Sequence, residues 1–367
     1  MKVLITGANG FVGKNLTVHL QEQGVEIVKF THDMSPSDLN DCLDGVAFIF
    51  HLAGVNRPKE ISEFAEGNAS LTGRLCDSIR ASGQSIPVIY TSSIQAEVDN
   101  PYGASKLAAE EALVLLERDT GSPVYIYRLP NVFGKWSRPN YNSAVATFCH
   151  NIANNKAIQI NDSSAQVRLV YIDDVVKDFM RFLEIRPSGV VRPEVSPIYT
   201  LTVGELANFI KSFKSSRESM VSEAVGTGLT RALYSTYLSF LKPSQFSYTV
   251  PVHADQRGKF VEMLKTKDSG QFSFFTAHPG IARGGHYHHS KNEKFLVIQG
   301  KARFGFRQIV TGETYEKFTD GELPEIVETV PGWSHDITNI GENEMIVLLW
   351  ANEIFDRQQP DTVTFKV

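Results

Sequence analysis

Met1-Lys2-Val3-Leu4-Ile5-Thr6-Gly7-Ala8-Asn9-Gly10-Phe11-Val12-Gly13 sets a short apolar run against a glycine-rich turn, and the turn against a helical pattern. A strand that empties into such a turn and opens a helix lets backbone amides and the positive helix end approach a pyrophosphate. The same spacing also serves an ordinary tight strand-to-helix turn, so the rest of the chain has to decide. VLITG, VEIVKF, AFIFHLAG, PVIYTSS and VYIYRLP each precede a polar or helix-like segment between Met1 and about Leu183. That alternation predicts an α/β fold, a doubly wound parallel sheet with crossover helices.

Beyond it the texture changes. Arg186 to Pro197 is rich in Pro and Gly, and TLTVGELANFIKSF then reads as a strand end followed by a helix capped at Thr202, with Glu205 three residues on. Ser215 to Ser244 reads as a polar, Ser- and Tyr-rich helical connector. From Phe246 to Val367, short runs such as FSFFTA, KFLVIQGKARFGF and MIVLLWANE alternate with Gly, Asn and Pro turns, which predicts a small all-β barrel. The length of 367 residues exceeds what one hydrophobic core usually supports, and the predicted division is 1–243 and 244–367.

Composition narrows the function classes. With 42% apolar and 21% charged residues and no apolar run long enough for a bilayer, the chain reads as globular and not membrane-spanning. Its start carries neither the apolar core nor the cleavage site of a secretory signal, so a cytoplasmic location is expected. Cys42, Cys76 and Cys149 lack metal or disulfide spacing and are expected to be buried free thiols. A net charge of -5 without a basic block argues against nucleic acid and for small-molecule partners.

Two constellations carry chemistry. In the first, Thr91-Ser92-Ser93 ends a strand, and Tyr102-Gly103-Ala104-Ser105-Lys106 begins a helix directly after Pro101. Tyr102 and Lys106, four apart, share a helix face. An ammonium beside a phenol favours the phenolate and is expected to lower its pKa, as proton exchange with an alcohol or ketone requires.

With these residues in this order, the chain from Met1 to about Lys214 resembles the extended short-chain dehydrogenase/reductase family with its Rossmann-like fold, above all its nucleotide-sugar reductases and epimerases. His51-Leu52-Ala53-Gly54, Asn68, the PYGASK helix start and Arg128-Leu129-Pro130-Asn131-Val132-Phe133-Gly134 belong to the same resemblance. It implies Tyr102 as proton donor, Lys106 on the ribose hydroxyls and Ser93 polarising the substrate carbonyl. The coenzyme would lie over Gly7, Asn9, Gly10, Phe11, Val12 and Gly13, and reach Leu52, Ala53, Gly54, Pro130 and Asn131. At the end of the second strand, Lys29-Phe30-Thr31-His32 offers no carboxylate for the ribose hydroxyls, so His32 favours a 2′-phosphate and NADPH, although Asp33 keeps NADH open. In many relatives an Arg before the motif matched here by Tyr171-Ile172-Asp173-Asp174 holds the nucleotide diphosphate. Arg168 is displaced from that place by one residue, which on a strand predicts the other face, so it is given no role.

In the second constellation Gly280 is followed after five residues by His286, then His288, then after four residues Glu293, and after six more Gly300. Alternate strand residues face one way, so His286 and His288 can converge, with Glu293 reaching back across the turn. This spacing matches the first motif of the cupin barrels, and His335 with Asn339 matches the second, although Pro331-Gly332 stands where that motif has Pro-X-Gly. The resemblance implies His286, His288, Glu293 and His335 as ligands of a divalent metal, for which the set suits zinc, with nickel, manganese or iron also compatible. His289 is expected to be solvent-exposed and idle. Asp255-Gln256-Arg257-Gly258 reads equally as a hairpin turn and as the DxRG element of epimerases with the same barrel.

The whole chain, through HLAGVNRP, NPYGASK, FGKWSRPNYNS, HHSKNEKFLVIQGK and Gln358-Gln359-Pro360-Asp361-Thr362, resembles bifunctional enzymes of capsule and O-antigen synthesis that make UDP-2-acetamido-2,6-dideoxy-L-talose. The resemblance implies a C3 epimerase in the metal-binding half, a C4 reductase in the other, a UDP-sugar substrate and a homodimer. Chemistry orders the two steps, because C3 can exchange its proton only while C4 is a ketone. The alternative is a reductase whose barrel is a non-catalytic sugar-binding or dimerisation module.

Overall fold

The computed structural model describes residues 1–35, 37–250, 253–255, 258–260, 264–266, 270–353 and 358–367. It divides into two compact units, Met1–Ser143 with Gln166–Thr200, and Ala144–Ala165 with Leu201–Val367. The helices α4 (Ala144–Ala153), α6 (Val203–Ser219) and α7 (Gly228–Leu238) belong with the later strands, because their own aromatic and charged side chains pack there. Phe213 meets Tyr234 with ring centroids 5.2 Å apart, and Arg217 pairs with the buried Glu328.

In the first unit the quoted apolar runs become β1 (Lys2–Thr6), β2 (Glu26–Phe30), β3 (Phe48–His51), β4 (Val88–Ser93) and β5 (Val124–Leu129). With β8 (Val190–Val191) they form one sheet in the order β2-β1-β3-β4-β5-β8, every pairing parallel. The helices α1 (Phe11–Glu22), α2 (Leu71–Ser82), α3 (Pro101–Thr120) and α5 (Ile172–Glu184) lie between these strands in sequence and cover both faces. Leu4, Ile49, Val88, Tyr90 and Ile126 pack on one side with Leu75, Ile79 and Leu113. Tyr125 and Tyr127 pack on the other side against Phe182 and Phe179, with tilted rings 4.2 and 4.7 Å apart. Burial on both faces is why these strands read as near-continuous apolar runs. The strand order reverses between β1 and β3, the crevice where open α/β sheets bind ligands. A short parallel pair, β6 (Asn131–Phe133) and β7 (Gln166–Tyr171), carries the chain past the ends of the sheet.

In the second unit two antiparallel five-stranded sheets face each other. One holds β9 (Ser247–Thr249), β10 (Gln271–Ala277), β12 (Glu293–Gln299), β15 (Glu325–Glu328) and β17 (Met345–Ala351), in the order β9-β15-β12-β17-β10. The other holds β11 (Ala282–Tyr287), β13 (Lys301–Gln308), β14 (Thr314–Asp320), β16 (Trp333–Asn339) and β18 (Val363–Thr364), in the order β14-β13-β16-β11-β18. Phe295 from the first meets Phe304 from the second at 5.8 Å. Lys294 and Glu328 pair across β12 and β15 with Nζ and Oε1 2.5 Å apart, both almost wholly buried. Their mutual attraction, with Arg217, outweighs burial and holds Glu328 below the usual carboxylate range and Lys294 above its ordinary value.

Candidate active site and histidine–glutamate cluster

At the crevice, Gly7 has φ +71°, and a Cβ there would stand 2.7 Å from the Ala53 nitrogen. A Cβ on Gly13 would stand 2.2 Å from the Gly7 carbonyl oxygen. Glycine at both places lets the turn after β1 close against the end of β3 while α1 starts one step later, capped at Gly10. Asn9 and Gly10 are exposed, and Phe11 and Val12 are half-buried at the N-terminus of α1, so its first amides face outward, where a pyrophosphate can reach them. Leu52 donates its amide to the Thr6 carbonyl at 3.2 Å and Ala53 donates to Thr6 Oγ1 at 3.2 Å, which brings the Leu52-Ala53-Gly54 turn alongside.

His51, fully buried below that turn, bridges Thr6 Oγ1 at 2.7 Å and Thr72 Oγ1 at 2.8 Å. Burial, with the Lys106 charge nearby, pushes its pKa down to about 3, so it is a neutral structural ring. The next helix opens with one π-helical turn, Ala65–Ser70, a wide-turn distortion that clusters at functional sites. It aims Asn68 inward, where Nδ2 donates to the Val55 carbonyl and to Ser105 Oγ, both at 2.9 Å. Asn68 therefore ties the turn after β3 to the helix that carries Tyr102 and Lys106. Nothing in the residue pattern around Asn68 signals a π turn.

The helix α3 begins as the sequence predicts, with Pro101 first and the Asn100 side chain accepting the Gly103 amide at 2.8 Å. Tyr102 lies beside Ser93, whose hydroxyl lowers the phenol's pKa. Burial nevertheless pushes the phenol above its usual range. The expected lowering by Lys106 does not dominate, since the Lys106 Nζ donates to the Thr91 carbonyl at 2.9 Å and lies 4.9 Å over the Tyr90 ring. Desolvation brings Lys106 itself down to about 8. Ser93 and Tyr102 thus come together, with Lys106 one helical turn further along α3 and its ammonium held at the Thr91 carbonyl.

Arg128 clasps the buried Glu110 through Nε at 2.9 Å and Nη2 at 2.7 Å, and Glu97 through Nη1 at 2.6 Å. It fixes β5 against α3. Beyond it opens a cavity of about 300 Å³, lined by Ile94, Leu129, Pro130, Arg168 and Arg192 among others. Arg168, on the exposed outer half of β7, lies beside this cavity. Pro130 is buried, and the exposed Asn131 donates to the Arg168 carbonyl at 3.2 Å. At the end of β2, His32 is nearly fully exposed 3.8 Å from Asp33, and the Thr31 hydroxyl holds the Asp33 carboxyl below its usual range.

In the second unit His286, His288, Glu293 and His335 bring one potential ligand atom each to within 4.8 Å of one another. His286 on β11 and His335 on β16 are direct cross-strand partners, and a bulge between Gly284 and His286 sets that register. His288 Nε2 lies 3.2 Å, and His335 Nε2 3.4 Å, from the same oxygen, Glu293 Oε2. Four ligands about 2.0–2.2 Å from a common ion stand about 3.3–3.6 Å apart, and the two spacings to Glu293 Oε2 lie near that range. His335 is buried, and its Nε2 faces the Glu293 carboxylate. Burial and the neighbouring imidazoles hold His286 down to about 4 and also lower His335, while His288 and His335 keep Glu293 ionised.

His289, expected to be exposed, is buried, because its backbone is drawn inward by Asp361 and its ring packs 5.5 Å from Tyr287. The sequence reading also passed over Lys291, buried with Nζ 2.8 Å from Glu293 Oε1. In the DxRG candidate, Gln256 and Arg257 lie outside the described residues. Cys42, Cys76 and Cys149 are buried and free, as expected, and among the described residues no helix is long and apolar enough to cross a membrane.

A glycine-lined crevice, a Ser–Tyr–Lys set and an arginine-lined cavity define a dinucleotide-dependent enzyme of the short-chain dehydrogenase type, joined here to an antiparallel β unit. Residues 3–192 match the NAD dependent epimerase/dehydratase family, and residues 253–363 match the polysaccharide biosynthesis C-terminal domain. The chain belongs to the NAD dependent epimerase/dehydratase family. It is 64% identical over 368 residues to the UDP-2-acetamido-2,6-beta-L-arabino-hexul-4-ose reductase of Pseudomonas aeruginosa, covering 100% of this chain and 99% of that one. The crystal structure of the capsular polysaccharide assembling protein CapF from Staphylococcus aureus is 42% identical, with TM-score 0.69 and 100% of both chains covered. The UDP-glucose 4-epimerase of Thermus thermophilus in complex with NAD shares the first fold alone, at 19% identity and TM-score 0.52 over 58% of this chain and 83% of that one.

Proposed function

We propose that this chain reduces the C4 ketone of a UDP-2-acetamido-2,6-dideoxy-hexos-4-ulose with NADPH, after its second unit has inverted C3, and so supplies a UDP-2-acetamido-2,6-dideoxy-L-talose for surface polysaccharide. The convergence of Ser93, Tyr102 and Lys106 at the crevice of a chain so close in sequence to a full-length 4-keto-sugar reductase carries this reading.

Each residue then has a task. The turn Gly7–Gly13 seats the coenzyme's pyrophosphate, and the nicotinamide supplies the hydride. Ser93 orients the ketone oxygen, Tyr102 delivers the proton to it, and Lys106 fixes the ribose and eases the phenol's proton loss. Arg168 and Arg192 hold the diphosphate in the cavity beside Pro130, where two guanidiniums match its charge. His32 favours the 2′-phosphate, against which the ionised Asp33 works.

In the second unit, of cupin type in this reading, His286, His288, Glu293 and His335 would hold a divalent ion, zinc by ligand preference. Such an ion would draw charge from a ketone oxygen and acidify the neighbouring C–H. Burial and the neighbouring imidazoles favour neutral rings at His286 and His335, which suits them as donors.

A second reading, in which the β unit binds sugar or pairs subunits without catalysis, is favoured by one contact. Lys291 Nζ gives the Glu293 carboxylate a cation partner of the protein's own. One variant separates the readings. His286→Ala should abolish solvent-deuterium incorporation at C3, and full retention of exchange would establish the second reading instead.

A further inference from the structure

We propose that the C-terminal segment Asp361–Phe365 is a positioning element of the histidine–glutamate cluster, which locks the His288 ring in the tautomer that presents Nε2 to a divalent cation. The inference rests on the metal-binding reading above and adds what holds the ligands in place.

The first observation is a hydrogen bond whose direction leaves no choice. His288 Nδ1 meets the backbone carbonyl oxygen of Asp361. A carbonyl oxygen only accepts, so Nδ1 carries a proton, which leaves Nε2 as the one ring nitrogen that can present a lone pair to a cation. That nitrogen is the one aimed at the cluster, 3.2 Å from Glu293 Oε2. Ligand histidines are commonly oriented by such a partner on the far ring nitrogen.

The second observation fixes the carbonyl itself. The Asp361 carboxylate accepts three successive backbone amides, from His289 at 2.8 Å, Ser290 at 2.7 Å and Lys291 at 2.7 Å, together with Ser290 Oγ at 3.0 Å. Those residues form the bridge from one ligand, His288, to the next, Glu293. Arg231 on α7 steadies the arrangement from behind, bonded to Ser290 Oγ, 3.0 Å from Glu353 and 3.9 Å from Asp361.

The third observation extends the hold to the other ligand strands. In β18, Thr364 pairs with His286 and Val363 with Tyr287. Phe365 donates its amide to the Gly285 carbonyl at 2.9 Å, its ring meets Tyr287 at 6.0 Å, and its carbonyl accepts from Ser334 Oγ at 2.5 Å, one residue before His335. Five consecutive residues, distant in sequence, thus touch the strand of His286, the ring of His288 and the neighbour of His335. A mere terminal tie-down would need the strand pairing but not the carbonyl on a ligand ring.

The test measures zinc affinity by chelator competition and the ligand-field absorption of the cobalt(II)-loaded full chain. Asp361→Asn turns an amide N–H toward amides that need an acceptor. It should weaken zinc binding about 10- to 100-fold, the range for lost outer partners of metal ligands, and shift the cobalt bands. Arg231→Gln, which leaves the amide clasp intact, should act in the same direction and more weakly, and it carries the test if the Asn variant does not fold. Wild-type affinity and unchanged cobalt bands in a folded variant would overturn the positioning role while leaving the metal reading standing. Failure of the wild-type chain to bind either ion would overturn that reading itself.

Discussion

The crevice of the parallel sheet and the cluster of the antiparallel unit are both pre-shaped, by opposite means. Around Gly7 and Gly13 the shape comes from missing side chains, since any Cβ would strike backbone at 2.7 or 2.2 Å. Around His288 it comes from side chains supplied in excess, with imidazoles, a carboxylate, Lys291 and Asp361 each limiting the others' positions. A site built on absent atoms is specified one glycine at a time, at Gly13 against its own turn and at Gly7 against the end of β3. A site built on interlocking donors and acceptors needs strands far apart in sequence. The first kind fails by steric blockage, and the second fails when any one partner is withdrawn.

The sharpest break between them is catalytic. Tyr102→Phe should cut NADPH-dependent ketone reduction by about 100- to 10,000-fold, the usual worth of a positioned proton donor, and leave metal content and C3 exchange untouched. Loss of exchange in that variant, measured by proton NMR, would mean the two sites are not separable. Next in size is the buried Lys294–Glu328–Arg217 group, which stabilises the second unit. Glu328→Gln leaves two cations uncompensated and should cost about 3–5 kcal/mol in urea unfolding, whereas an exposed pair such as Arg80–Asp77 should cost about 0–1 kcal/mol.

Gly13→Ala tests the steric half. Forcing a methyl against the Gly7 carbonyl should cost about 1–3 kcal/mol, read as a rise of about tenfold or more in the coenzyme's KM with metal affinity unchanged. The smallest effect is the pH profile. Lys106 is charged below its folded value of about 8 and neutral above it. kcat/KM for reduction should therefore fall as pH rises through about 8, and Lys106→Arg, which stays charged, should remove that limb. Stability moves the other way, since between about 8 and the ordinary lysine value the unfolded chain holds a proton that the folded one has released. The Lys106 contribution to unfolding free energy thus rises with pH in that window.

Legibility followed the same division. The glycine turn, the strand runs that became β1 to β5, Pro101 at the start of α3 and the Thr202–Glu205 capping box could be read because each is a local choice of backbone. In the cluster, strand alternation made the pairing of His286 with His288 legible, whereas Glu293 and His335 came from the resemblance to the cupin motifs. What could not be read was long-range. The placement of α4, α6 and α7 depends on Phe213 finding Tyr234 and Arg217 finding Glu328. The burial of His289 depends on Asp361, and the raised pKa of Tyr102 depends on how much wall surrounds it. That Arg168 lines a cavity with Arg192 also depends on segments far apart in sequence.

The most direct test of the two-site account is NMR of UDP-4-keto-2-acetamido-2,6-dideoxy-L-arabino-hexose with the purified chain in deuterium oxide, first without NADPH and then with it. The account predicts deuterium at C3 before coenzyme is added and a talo-configured alcohol after it. Reduction of the unepimerised ketone with no deuterium at C3 would contradict it and leave the histidine–glutamate cluster a binding site without a reaction.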